Sequence, residues 1–203
     1  MGKGLSCALN RVETLRAFHL DPQKKTLLVM GGSQGASGIN QLLFKAAPLF
    51  AKADIQVIHL TGERDDRLAA ANYQRDSIRY YVSAFHHRME EVYSVADVVI
   101  ARAGASTLSE LAQFGLPSIL IPYPHATDDH QTANAQIFVR GGAAEILSEK
   151  GTIAETLAAM ICNLMSDDQR RARMAAAARE MGPASAAENV ANILEQAVKK
   201  ETK

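Results

Sequence analysis

Residues 97–134 read DVVIARAGASTLSELAQFGLPSILIPYPHATDDHQTAN, and the order of apolar runs, small residues and breakers in them decides the fold. The apolar run 97–101 predicts a strand, followed by a glycine-containing turn. A helix should open near Ser106, stop at Gly115 and Pro117, and give way to a second apolar strand over 118–122. A polar loop then enters another helix. Neither strand alternates apolar with polar residues, which is the pattern of a parallel sheet covered by helices on both faces. Ligands of such sheets lie beyond the carboxyl ends of the strands, where AGAST, Glu110 and HATDDHQ fall.

Working outward, the same alternation continues in both directions. Upstream, 26–30 is a short apolar strand, GGSQGASGIN follows at once, and Leu42, Leu43 and Ala46 carry a helical pattern that Pro48 should kink or end. Strands over 55–60 and 78–82 flank a polar helix over 64–74, and 89–95 forms a short helix. Downstream, 131–139 reads as helix, Gly141 and Gly142 stop it, and 143–147 gives a sixth strand. Helices over 153–165, 167–181 and 186–199 complete the chain. Strands spaced too far apart for hairpins call for right-handed crossovers, so the fold class is α/β, with a doubly wound, mostly parallel six-stranded sheet. Residues 1–20 have apolar side chains at helical spacing (Leu5, Leu9, Val12, Leu15) but no start signal, so they read as a linker remnant or weak helix. Residues 21–203 are the ligand-binding domain.

Composition narrows the function classes. Lysine plus arginine equals aspartate plus glutamate at 22 each, so no net basic field attracts nucleic acid, and none is expected as a partner. The two cysteines, Cys7 and Cys162, are far apart and lack metal-ligand spacing, which fits a reducing compartment and packing roles. No apolar run approaches ~18 residues. The expected location is the cytoplasm, with peripheral contact at the inner face of the cell membrane left open.

Three loops carry candidate chemistry. GGSQGAS sits between a strand and a helix, where backbone N–H groups and the Ser33 hydroxyl could converge on an anion. It is neither GxGxxG nor a Walker loop, and a tight turn that needs glycine accounts for its glycines equally well. Ala103 to Thr107 repeats the arrangement, with Glu110 one turn into the next helix. Thr107 and Glu110 could form a capping box, or Glu110 could accept two hydrogen bonds from a vicinal diol. HATDDHQTAN groups His125, Asp128, Asp129, His130, Gln131 and Asn134 in one loop. Lacking a second ligand-bearing motif, the loop is not expected to hold a metal, and no other cofactor is implied. An Asp capping the next helix, with the Gln131 amide on sugar hydroxyls, fits better. His86 and His87 read as a solvent-facing turn.

GGSQG, RAGASTLSELAQFGLPSILIPYP and HATDDHQTANA, in that order, closely resemble the donor-binding, carboxyl-terminal half of the MurG family. The resemblance covers roughly residues 11–199 and implies a Rossmann-like half of a GT-B glycosyltransferase that transfers N-acetylglucosamine from UDP to a lipid-linked muramyl peptide, for peptidoglycan. Position by position, it makes Ser33 a diphosphate contact and sets His86 where main-chain atoms meet the uracil edge. It lines the nucleotide sugar with Ala105, Ser106, Thr107, Leu108, Ser109 and Glu110, with Glu110 on the ribose hydroxyls and Gln131 on the sugar. The segment that carries a phosphate-binding arginine in the family corresponds to Asn10-Arg11-Val12, which nominates Arg11.

Nothing here corresponds to the family's amino-terminal half, which holds the acceptor loops, the catalytic base and the membrane-facing patch. The resemblance therefore implies a chain that binds UDP-GlcNAc and works with an acceptor-domain partner or a missing amino-terminal half. The lipid-linked acceptor is reached through that partner, and no catalytic residue is identifiable here. A stand-alone catalytic subunit of a two-component UDP-GlcNAc transferase and a non-catalytic nucleotide-sugar-binding module are the alternatives.

Overall fold

The computed structural model describes residues 9–31, 37–124 and 129–182. Strands β1 Thr26–Met30, β2 Gln56–Leu60, β3 Tyr80–Ser83, β4 Val98–Ala101, β5 Ser118–Leu120 and β6 Ala144–Ile146 form one sheet in the order β3-β2-β1-β4-β5-β6. Every neighbouring pair is parallel, so the doubly wound sheet is parallel throughout. Among the described residues the helices are α1 Arg11–Ala17, α2 Ser37–Lys52, α3 Asp66–Arg75, α4 Met89–Val95, α5 Ala105–Phe114, α6 His130–Arg140, α7 Ala154–Ser166 and α8 Asp168–Glu180. The helix expected over 186–199 lies outside the described residues.

The absence of alternation in the strands has its explanation in the two cores. Leu27 and Val29 of β1 point into one, with α2, α3 and α7, while Leu28 and Met30 point into the other, with α1, α4, α5 and α6. Both faces are apolar because both are covered. Helix α8 reaches each of them, Met174 joining the first core and Ala178 the second.

Three local expectations change. Helix α1 does have a start signal: the Asn10 side chain accepts the Val12 and Glu13 N–H groups, and Leu15 and Phe18 are buried. Pro48 does not end α2, which runs on to Lys52. It lies in the last two turns, where the missing N–H removes one bond while Phe50 stays fully buried in the core. Helix α5 begins at Ala105 behind Gly104, and Thr107 is already inside it, so Thr107 and Glu110 form no capping box. Its end follows the glycine rule: Gly115 takes φ 64°, while Leu116 and Gly115 donate to Leu111 and Ala112, a Schellman closure.

The order of strands leaves a crevice at the carboxyl ends of β1 and β4, where the direction of winding reverses. The amino edge is tied together by hydrogen bonds within the chain. There Asp97 Oδ2 accepts from Thr26 N and the Arg11 guanidinium, each at 2.7 Å, and Gln56 exchanges hydrogen bonds with the Asp21 backbone.

Candidate functional site

At the carboxyl edge, Met30 and Gly31 from the end of β1, Leu60 from β2, Ala84, Phe85 and His86 after β3, Met89 of α4 and Glu110 of α5 enclose a cavity of about 200 Å³. Four separate chain segments meet there because parallel strands all deliver their loops to one edge. The walls are largely apolar, and Glu110 and His86 supply the polar groups. The cavity is smaller than the ~300–1,000 Å³ usual for whole ligands, so it suits one ring of a longer molecule that continues along the open edge.

Glu110 is held from behind. The Tyr93 hydroxyl of α4 donates to its Oε2 at 2.6 Å, and Tyr93 is 1% exposed. Burial first, then the bond to Glu110 and its charge, push the phenol well above its ordinary range, which keeps it a donor near neutral pH. His86 is also held: its Nε2 lies 2.9 Å from Glu91 Oε2, also on α4, and its Nδ1 lies 3.4 Å from the Tyr81 hydroxyl. A carboxylate only accepts, so the Nε2 proton is assigned by its partner. The side chain of His86 is therefore tucked inward and paired, whereas His87 is exposed; the solvent-facing turn applies to His87 alone.

On the other side of the crevice the polar groups are knitted together. Arg102, directly after β4 and 8% exposed, donates from Nη1 to the Ile121 and Pro122 carbonyls, each at 3.1 Å. Its guanidinium stands 5.3 Å from the Tyr123 ring centre and is in ion contact with Glu149. The Glu149 carboxylate in turn lies where a side chain at residue 38 would start, so a larger residue in place of Gly38, in the first turn of α2, would have to push that flexible side chain aside. Gln131 Oε1 accepts from Tyr123 N at 3.0 Å, and Asn134 donates to the Ala103 carbonyl at 3.2 Å. Arg102 and Gln131 thus fix the same short segment after β5 from its two sides. Asp129 stands at the N-cap of α6 with φ 51° but makes no side-chain cap bond, so Asp129 does not provide the capping expected there, and Asp128 lies outside the described residues.

The expected site residues separate into groups. Glu110 and His86 share the cavity, and Gln131 lies across the crevice beside Tyr123. Ser106 and Thr107 lie one turn from Glu110 on the same helical face. Ala105, Leu108 and Ser109 face elsewhere, into a groove of about 310 Å³ shared with Asn134, Ile137 and Phe138 of α6. Leu108 is buried in the core, which the three-to-four residue spacing of Leu108, Leu111 and Ala112 requires. Arg11 lies at the opposite edge, with Nη1 on the Val95 carbonyl at 2.7 Å and Nη2 on Asp97, so it does not join the site. Ser33 lies outside the described residues. A cleft of about 430 Å³ between α4, α5 and α8 is also on the amino side, and its Arg171 is spent on the carbonyls of Leu164 and Met165 and on Asp168.

A crevice at the winding reversal is where open α/β sheets of many kinds take their ligands, and comparison with known proteins narrows the choice. A family model described as the glycosyltransferase family 28 C-terminal domain matches residues 26–193. The chain belongs to that family. It is similar to the UDP-N-acetylglucosamine--N-acetylmuramyl-(pentapeptide) pyrophosphoryl-undecaprenol N-acetylglucosamine transferase of Pseudomonas fluorescens, with 41% identity over 172 residues, 84% of this chain and 48% of the relative. A Bacillus cereus relative with the same name, numbered 1, is 36% identical over 193 residues, 94% of this chain and 53% of its own length. Among solved structures, Acinetobacter baumannii MurG matches with a TM-score of 0.73 at 30% identity, covering 86% of this chain and 52% of that one. The chain spans about half the length of the curated relatives it matches.

Two residues of this family 28 domain went unassigned in the sequence. Tyr93 sits in MEEVYSV, where it reads as one more apolar position of a short helix, and nothing local connects it to Glu110. Arg102 left a signal, a charge placed immediately after a fully apolar strand and before the small-residue turn. Such a position demands partners, and only the folded chain shows which.

Proposed function

We propose that this chain is the donor-binding half of a UDP-N-acetylglucosamine transferase that builds the disaccharide of a lipid-linked peptidoglycan precursor. The observation that carries the reading is the Glu110 carboxylate: one oxygen is tied to Tyr93, and the residue lines a ring-sized cavity at the strand-order reversal. The names of relatives 36–41% identical supply the substrate class.

In this reading the uracil occupies the cavity beside Phe85 and His86, the ribose hydroxyls donate to Glu110, and the sugar extends toward Gln131. The diphosphate lies between the amino ends of α2 and α5, whose peptide dipoles favour negative charge, and Ser33 adds a hydroxyl donor. Transfer is an inverting displacement. The acceptor hydroxyl attacks the anomeric carbon, the bond from that carbon to the diphosphate oxygen breaks, and UDP departs with the electron pair. The chain's share of catalysis is to stabilise that departing charge. The proton of the acceptor goes to a base on the acceptor-binding half, either the remainder of a longer protein or a separate partner, which also makes the membrane contact. No helix among the described residues is long and apolar enough to cross a membrane.

Titration calorimetry with UDP and UDP-GlcNAc tests the reading. Saturable heat is expected for both, with UDP carrying most of the affinity. A folded chain that binds neither refutes the donor assignment.

A further inference from the structure

We propose that Tyr93 is a positioning residue for nucleotide recognition, and that its buried hydroxyl orients the Glu110 carboxylate for ribose. The inference rests on the donor-binding reading above but concerns a residue that lies behind the cavity wall.

An unsupported carboxylate on a helix samples many orientations. Glu110 has three rotatable side-chain bonds, and ordering such a side chain costs part of the energy of whatever it binds. Here the cost is met before any ligand arrives. The Tyr93 hydroxyl holds Oε2 at 2.6 Å, and Met30 Sδ, a weak acceptor, lies 3.5 Å from the same hydroxyl. The Tyr93 ring is itself fixed, packed against Phe114 with centroids 5.2 Å apart and buried between α4 and α5. A carboxylate has about four acceptor directions. With one taken by a rigid donor, the rotation of the group is restricted, and Oε1 is left to be offered to a diol over a narrower range of orientations.

Helix α4 does this twice. Glu91, two residues before Tyr93, holds the His86 imidazole at 2.9 Å, so both polar groups of the cavity are braced from one short helix. The helix touches the cavity directly through Met89. Its polar residues act through others, which is why they are positioning residues rather than ligand contacts.

The experiment compares UDP with 2′-deoxy-UDP on the full chain, by calorimetry, for wild type, Tyr93→Phe, Glu110→Ala and the double variant. The wild type should bind UDP about tenfold more tightly than the deoxy compound. Tyr93→Phe should lose most of that preference, with deoxy-UDP affinity and thermal midpoint little changed, and should have no further effect in the Glu110→Ala background. Equal losses for both ligands, or an undiminished preference in Tyr93→Phe, overturn the proposal while leaving donor binding intact. A wild type that binds no UDP removes the donor reading and this inference together. Should Tyr93→Phe fail to fold, the hydroxyl proton of Tyr93 in the wild-type chain decides. A downfield, exchange-protected NMR signal that vanishes in Glu110→Ala supports the proposal, and an unchanged spectrum overturns it.

Discussion

At the scale of single residues, a side chain's place in the chain says what it can do, and its neighbours decide what it does. Glu110 could have capped α5 or faced a diol, and the spacing from Thr107 allowed both. Helix α5 opens two residues before Thr107, so the cap is geometrically excluded and the carboxylate is left at the cavity. Glu110→Ala should weaken UDP binding by at least tenfold with little loss of stability, checked by calorimetry and thermal denaturation. His59 was silent in the sequence, one polar letter in an apolar strand. It is fully buried, its Nε2 donating to Asn40 Oδ1 at 3.0 Å and its Nδ1 accepting from the Tyr73 hydroxyl at 2.8 Å. Burial pushes the imidazole down from 6.5 to about 3, so between those values the unfolded chain carries one more proton than the folded one. Stability should therefore fall as pH drops below 6.5 toward 3, by up to about 1.4 kcal/mol per pH unit from this group, and show no dependence on it above 6.5. Urea titrations at pH 5 and 7 on wild type and His59→Gln measure that difference.

At the scale of elements, the boundaries were legible wherever glycine, proline or a burial pattern marks them. Gly115 ends α5 and the apolar run 26–30 is β1, because steric freedom and two-sided burial act locally. Helix α1 was harder, since an asparagine starts a helix only if the following backbone turns toward it. Asn10→Ala should cost about 1 kcal/mol by removing that cap, read as a lower midpoint in thermal melts. The segment after β5 depends on Arg102, whose guanidinium serves two carbonyls and Glu149. Arg102→Met should destabilise the chain by about 2–3 kcal/mol in denaturant titration, because the carbonyls and the carboxylate lose a charged partner. Glu149→Gln should cost less, since the Glu149 side chain is 22% exposed and water can replace part of what it loses.

At the scale of the whole molecule, the carboxyl edge carries the ring-sized cavity with Glu110, while the polar groups at the amino edge are tied to one another. In the proposed function the carboxyl edge is where an acceptor half closes over the donor. Mixed with UDP-GlcNAc and a lipid-linked muramyl-peptide acceptor, the chain by itself should give negligible transfer, and supplying the amino-terminal half of a relative should raise product formation at least a hundredfold, followed by radiolabelled sugar incorporation. What the amino-acid sequence determined on its own was the alternation of strand and helix, the two-faced sheet and the edge that carries the loops. Those follow from periodicity, breakers and chain direction, which are properties of neighbours along the chain. What only the tertiary structure decided was company: Tyr93 behind Glu110, Glu91 on His86, Arg11 at the far edge and Leu108 in the core. Such pairings depend on how each helix is rotated and seated on the sheet. Packing between distant segments sets that rotation, and local spacing leaves it open.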